Sequence, residues 1–371
     1  MLLAACAATL ALWPVADPAL PLRRADGRAW DVKVEASVWS PGMRQGSQAP
    51  IALRDAAVWF PLVLDSAWSQ ADAGSVAPEL WLDARRTAFA SVELKRDLPR
   101  SSSAVRLGVG KISGQSMKWS VSWRARCWAS QVDEAAAAAA TWPVEWPEEA
   151  TPWLAPEPGI ESDSPDMAAF VARVSEGKLR TVTPWIAAKE LVRATVNHFN
   201  AVDSDGIRVE NGFPRGIVFD GAQAAMSRRT GSCHDVAAAC TAVLRAAGIP
   251  ARMVLGVSEV ETSSGASKAR FVSWCEFYLP GAGWAPYSPL RLRSSARGGL
   301  QLQRPWPAFG TWDELNGFIP LCLGVGVAAP GASLPRYPAG YAWTGSGRVE
   351  TWQATEAVTV QILSRGRVPG P

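Results

Sequence analysis

The sequence predicts an α+β chain in which strands come first, helices follow and strands return. Three observations lead to this. Residues 28–132 carry alternating or continuous apolar runs separated by Gly, Pro and Ser clusters. Between 165 and 250 the apolar residues instead recur at helical spacing. After Arg252 the period falls back to two, in short runs.

Composition bounds the function classes. The chain has 371 residues, enough for two or three domains. Charged residues make up 19% and hydrophobic ones 48%, a globular rather than a disordered balance. A net charge of +3 gives no reason to expect a nucleic-acid or membrane-surface partner. Six cysteines occur with no CxxC spacing and only two histidines, so neither a metal site nor another cofactor is expected. Nothing in the sequence specifies an oligomeric state.

Residues 1–27 read as a signal or anchor segment. The apolar run from Leu2 to Ala16 is broken by Pro14 and is too short to span a bilayer. It resembles a secretory core with a cleavage region near Ala16 to Ala19, and Leu3-Ala4-Ala5-Cys6 also reads like a lipoprotein box. Export to the periplasm or cell envelope is therefore expected; the alternative is a buried N-terminal segment of a cytoplasmic protein.

Residues 28–132 are expected to form a β-sandwich-like domain, with strands near 30–39, 57–65, 87–94, 104–110 and 118–128. In the last of these, Trp119, Val121, Trp123, Ala125 and Cys127 alternate with Lys118, Ser120, Ser122, Arg124 and Arg126. That pattern is a half-buried strand with its indoles inward. The 19 tryptophans are read mainly as filling for β cores and interfaces. Residues 133–164, an alanine run followed by prolines and acids, are read as an extended, semi-stiff linker.

Asp163 or Ser164 before Pro165 starts the first helix, with Met167, Phe170, Val171 and Val174 on one face. A second helix spans Thr183 to Phe199, and a turn-rich insert covers 203–223. The third helix begins at Ser232 and is stopped by Gly248 and Pro250. Val236, Ala237, Ala239, Cys240, Val243, Leu244 and Ala247 cover most of its circumference, which marks it as central and buried. His234, Thr241 and Arg245 form its one polar stripe. Ser232 is the expected N-cap, with Asp235 supporting the positive helix end. Cys233 then stands in the first turn, where the dipole and free N–H groups favour a thiolate. Strands follow at 251–260, 269–279 and 283–289, with a turn or loop at 261–268, and residues 296–371 are read as a small β extension.

Two long segments carry a family resemblance. GSCHDVAAACTAVLRAAGIPARMVLG, starting at Gly231, and SWCEFYLPGAGWAPYSP, starting at Ser273, resemble the two core motifs of the transglutaminase-like superfamily, in order and at the family's spacing. The resemblance covers about residues 165–290. It implies a papain-like fold for a core over 165–295 and a Cys-His-Asp triad within it. The nucleophile position is Cys233. The His position, two residues before Trp274, is Val272; the Asp position, before Pro289, is Ser288. Asp235, Arg252, Trp274, Glu276 and Trp284 match the motif in structural roles of capping, pairing and packing.

Valine has no titratable atom to take the thiol proton, and serine cannot carry the compensating charge. Glu276 shares a strand face with Val272 but lies about 13 Å further along, at ~3.3 Å per residue. His234 directly follows Cys233, and successive helical side chains do not face each other. His198 sits on the preceding helix, packed or solvated. The expectation is a catalytically degenerate member, a pseudoenzyme acting as a binding or structural module with a polypeptide partner. Two alternatives stay open. One is an active cysteine protease or amide acyl transferase with Cys233 as nucleophile; the other is an envelope-ligand binder that uses the Trp-rich N-terminal domain.

Overall fold

The strands of the N-terminal half sort into two sheets by the side on which their apolar residues fall. In the computed structural model, residues 21–39, 51–202, 206–210, 212–261, 267–296, 299–327, 329, 331, 338–347 and 356–368 are described. The N-terminal apolar segment with Cys6 lies outside them, as does most of the 261–268 turn. Among the described residues, no helix is long and apolar enough to cross a membrane.

Seven strands precede the helices: β1 (Leu22–Trp39), β2 (Ile51–Pro61), β3 (Ser69–Leu82), β4 (Arg85–Thr87), β5 (Ser91–Leu98), β6 (Ser102–Gly114) and β7 (Ser116–Val132). β1 buries Trp30, Val32, Val34, Ala36 and Val38 at every second residue. β7 does the same with Trp119, Val121, Trp123, Ala125 and Cys127, as its alternation predicts. These faces close against Leu53, Val58, Phe60, Val105 and Leu107 of the opposing sheet. The result is a sandwich of a five-stranded and a four-stranded sheet.

Segment 133–164 departs from an extended connection. It opens with α1 (Glu134–Ala139), capped by Asp133, whose Oδ1 accepts from the N–H groups of Ala135 and Ala136 at 3.0 Å. Its tryptophans fasten the remainder to the core. Trp142 Nε1 donates to Val182 O at 2.7 Å, Trp146 Nε1 donates to Gly248 O at 3.0 Å, and Trp153 is buried. Proline content signals stiffness, but it does not reveal that indoles will dock the chain along its length.

The helical region begins with α2 (Pro165–Ser175) and α3 (Pro184–His198). Their N-caps are Ser164 and Thr183, each followed by Pro at the first helical position. The turn-rich insert resolves into β8 (Ala201–Val202), the hairpin of β9 (Ile207–Glu210) and β10 (Phe213–Ile217), and a helix absent from the sequence reading, α4 (Ala222–Arg228). After β11 (Thr230–Gly231) comes α5 (Cys233–Ala246), closed by Gly248 at φ 74°, the left-handed conformation that ends helices. From His234 to Arg245 every residue of α5 is buried. It packs on a four-stranded antiparallel sheet of β12 (Ala251–Glu261), β13 (Ser267–Leu279), β14 (Gly283–Tyr287) and, beyond α6 (Pro289–Ala296), β15 (Phe318–Leu323), in the order β14-β13-β12-β15.

The last strands are not a separate extension. β16 (Ala342–Gly347) pairs with β2, and β17 (Glu356–Val368) pairs with β1 from Gly27 to Val38. Each adds an edge to the N-terminal sandwich, so the chain's end covers the unpaired side of its longest strand. The two halves are also joined through one core. Leu255, Val257 and Phe271 of the second sheet, with Ile319 and Leu321 of β15, share the sandwich's apolar cluster.

A buried charge cluster pins segment 155–160 to this frame. Arg245 donates from Nε to Ala251 O at 2.7 Å, from one terminal nitrogen to Ala155 O at 2.8 Å, and from the other to Glu157 Oε1 at 2.8 Å. Arg100 pairs with the other oxygen of Glu157. The Trp153 ring lies within cation–π reach of Arg100, Arg245 and Arg252, at 5.6, 5.7 and 5.6 Å. Removing one partner strands a buried charge, which typically costs about 3–5 kcal/mol. Glu157→Ala is therefore expected to lower the free energy of unfolding by that amount, read as a lower urea midpoint at unchanged m-value, and Glu157→Ala with Arg245→Met to recover part of it.

Candidate functional site

The N-terminus of α5 is organised by one carboxylate. Ser232 caps the helix, its Oγ accepting from Asp235 N–H at 3.1 Å, while Asp235 Oδ2 accepts from Ser232 N–H at 2.9 Å in a reciprocal box. Asp235 Oδ1 reaches further and accepts from the N–H groups of Asp220 and Gly221 at 2.8 and 3.0 Å. Ser232 Oγ also donates to Val218 O at 2.7 Å. The capping residues thus clamp the loop that follows β10 onto the helix end. Cys233 is the first helical residue and is half-buried. That placement is the one expected for a nucleophile.

β13 presents alternating residues to the helix and away from it. Ser273 and Cys275 face α5, for Ser273 Oγ lies 3.0 Å from His234 Nδ1, and Cys275 Sγ donates to Ala237 O at 3.2 Å. Val272 therefore alternates onto the other side with Trp274 and Glu276. It stands opposite Gly256 in the register and is half-buried against the main apolar core. Ser288 is buried at the start of α6. Its carbonyl accepts from Leu292 N–H at 3.0 Å, and its Oγ accepts from Arg291 N–H at 3.4 Å. The two positions that would complete the triad thus serve apolar packing and helix capping.

The remaining motif residues form a buried pair with aromatic walls. Arg252 Nε donates to Glu276 Oε2 at 2.8 Å, and Trp274 Nε1 donates to Glu276 Oε1 at 3.3 Å. The Arg252 guanidinium lies 4.0 Å from the Trp284 ring centre.

Of the two imidazoles in the sequence, His198 is taken up by packing, with Nε2 2.8 Å from Met226 O and its ring edge-on to Phe170. His234 and Cys233 share a neighbour. The two side chains do not face each other, but both face Gly206, which crosses the helix end at φ 71°. A Cβ placed on Gly206 would stand 2.8 Å from His234 Nε2 and 3.2 Å from Cys233 Sγ. Gly206 and Ser273 are the site residues that the sequence reading passed over. Ser273 carried a signal, since a polar stripe on an otherwise apolar helix requires partners on the element it packs against.

The His234 ring is uncharged at neutral pH. Burial foremost, and then the positive charge of Arg270, lower its pKa to about 3. Among the described residues, no three His, Cys, Asp or Glu side chains converge as metal ligands.

The lowered pKa also makes stability depend on pH. The unfolded chain protonates His234 near pH ~6.5, whereas the folded chain resists protonation down to about 3. The contribution is intact above that unfolded value and is lost as pH falls from it toward 3. At pH 5 the loss is about 2 kcal/mol, at ~1.4 kcal/mol per unit. Urea unfolding at pH 7.5 and 5 is expected to show the wild type losing about 2 kcal/mol more than His234→Gln.

Comparison with known proteins agrees with this geometry. Residues 214–289 match the family model of the transglutaminase-like superfamily. A proposed cysteine protease from Cytophaga hutchinsonii, 15% identical, superposes over 94% of this chain and 95% of its own, with a TM-score of 0.57. The periplasmic domain of TgpA from Pseudomonas aeruginosa is 16% identical over 75% of this chain and 93% of its own, with a TM-score of 0.34. No curated protein matches. Residues 214–289 are thus similar to the transglutaminase-like superfamily, and the matched segment includes Cys233 at the start of α5 and Val272 on β13.

Proposed function

We propose that this core is catalytically degenerate and serves as a binding or structural module, with an extended polypeptide as the partner its family's cleft suits. What supports this is that the family's His position holds Val272 and its Asp position holds Ser288. Burial and the charge of Arg270 lower the His234 pKa to about 3, so its neutral ring is a weak acceptor for a thiol proton and a poor stand-in for an imidazole at 272.

A second reading, an active cysteine protease or amide acyl transferase, draws on the half-buried thiol at a helix N-terminus. It requires turnover of a peptide or amine-and-glutamine substrate that Cys233→Ala abolishes. The reading as an envelope-ligand binder draws less from the tryptophans of the sandwich, since Trp30, Trp59, Trp68, Trp119, Trp123 and Trp128 are buried while Trp39 and Trp81 are half-buried. Export remains part of the proposal and rests on the apolar N-terminal segment.

Alkylation kinetics test the degenerate reading. The wild-type Cys233 is expected to react with iodoacetamide at pH 6 no faster than a free thiol. Val272→His combined with Ser288→Asp is expected to raise that rate by ~10²-fold, by creating the cationic neighbour that lowers a thiol pKa. A fast wild-type reaction, or wild-type turnover of a peptide panel, would sink the proposal.

A further inference from the structure

The outer strands of the three larger sheets are not alike. β4 is three residues long and carries Arg85 and Arg86, both exposed, and β5 carries Glu93, Lys95 and Arg96. β16 holds Gly345 and Gly347, while β14 and β15 contain Pro286 and Pro320. Short length, charge, glycine and proline all discourage pairing at a sheet edge. β17 has none of them over residues 357–364, AVTVQILS, an uncharged run of mostly strand-forming residues. One side of β17 pairs with β1. Among the described residues no strand pairs with its other side; β10 approaches β17 but forms its ladder with β9. Alternate residues of an antiparallel strand send N–H and C=O to the same side, so half of these groups in β17 face away from β1. The apolar layer is also unfinished there. Val32 and Val34 of β1 are buried, whereas Ile362 and Val360, which stand opposite them, are only half-buried. On the other face of the strand Leu363 is 65% exposed.

The far end of this strand is cationic. Arg365 is the extra residue of a bulge, and Arg367 stands directly opposite Arg28. Like charges opposite each other on paired strands are destabilising. Arg365 pairs with Asp31, and Arg28 lies 4.0 Å from Glu259. Arg367 is exposed and, among the described residues, has no carboxylate partner.

We propose that the outer edge of β17 accepts an extended polypeptide strand from another protein, apolar at alternate residues and acidic at the end that meets Arg367. A row of outward N–H and C=O groups is complementary to a second extended backbone. The alternate apolar side chains continue the layer of Val360 and Ile362, and the acid relieves the opposition of Arg28 and Arg367. The inference goes beyond the reading of the Cys233 site and does not rest on it.

Hydrogen exchange on the full chain tests this, with a peptide of alternating Val and Thr flanked by Asp at both ends as the probe. In the wild type, amides within 357–364 are expected to gain protection at peptide concentrations up to ~1 mM. Methylating every backbone nitrogen of the peptide removes its donors and is expected to weaken binding by ~10-fold or more. The Asp-flanked peptide is expected to bind ~2–5-fold more tightly than a Lys-flanked one, and Arg367→Glu, an exposed position, to remove that preference. Unchanged exchange of 357–364 at ~1 mM peptide, or equal binding of the methylated peptide, would overturn the proposal. So would protection that rises with protein concentration alone, as the chain dimerises through β17. An acid preference that survives in Arg367→Glu would overturn the placement of the acid.

Discussion

Helix α5 has no wet side, and much of the surrounding structure answers that constraint. A buried polar group without a partner costs about 1–3 kcal/mol, and a charged one costs more. The polar residues of the helix therefore dictate what packs against it. Asp235 gathers Ser232 and the backbone of Asp220 and Gly221. Thr241 turns its hydroxyl back onto Ala237 O at 2.9 Å. Arg245, the largest demand, is met only because residues 155–157 and 251 deliver two carbonyls and a carboxylate. The path of the chain before the core follows from what Arg245 requires.

The same burial decides the chemistry. An imidazole in this environment stays neutral, because the charged form would be desolvated beside Arg270. A cysteine nucleophile needs the opposite, an imidazole that becomes a stable cation beside the thiolate. His234, in these surroundings, is held neutral instead.

The sequence made the local elements legible and left their partners obscure. Helices α2 and α5 begin at the Ser caps that their patterns announce, and α5 ends at the Gly248 and Pro250 punctuation, since caps are local chemistry. The alternation in β7 likewise set its inward face residue by residue. Strand pairing is not local. The period of two in residues 357–364 predicts a strand, but nothing in it says that the strand will travel back to β1, more than three hundred residues earlier along the chain. The docking of Trp142, Trp146 and Trp153 was hidden for a similar reason. An indole among prolines looks the same in a loose linker as in one fastened to a core. Helix α4 was missed because its seven residues are too few to display a period. At the site, register gave Cys233, Val272 and Ser288 their places, while Gly206 required the fold, since only the fold carries that loop over the helix end.

The motif separates into a part the fold depends on and a part it does not. Arg252 and Glu276 are buried and mutually paired, with the closest approach at 2.6 Å, and both are walled by Trp274 and Trp284. Loss of one such partner would cost about 3–5 kcal/mol, a large share of the ~5–15 kcal/mol that holds a domain together. Asp235 is bound just as tightly into the helix cap. Positions 272 and 288 carry no such obligation. Valine fills the first with apolar contact, and serine at the second still caps α6 through its oxygen. Under the degenerate reading proposed above, valine and serine at these positions meet local packing and capping needs, whereas Arg252, Glu276 and Asp235 are fastened by buried bonds. For that reason the motif identifies the fold more securely than it identifies a reaction.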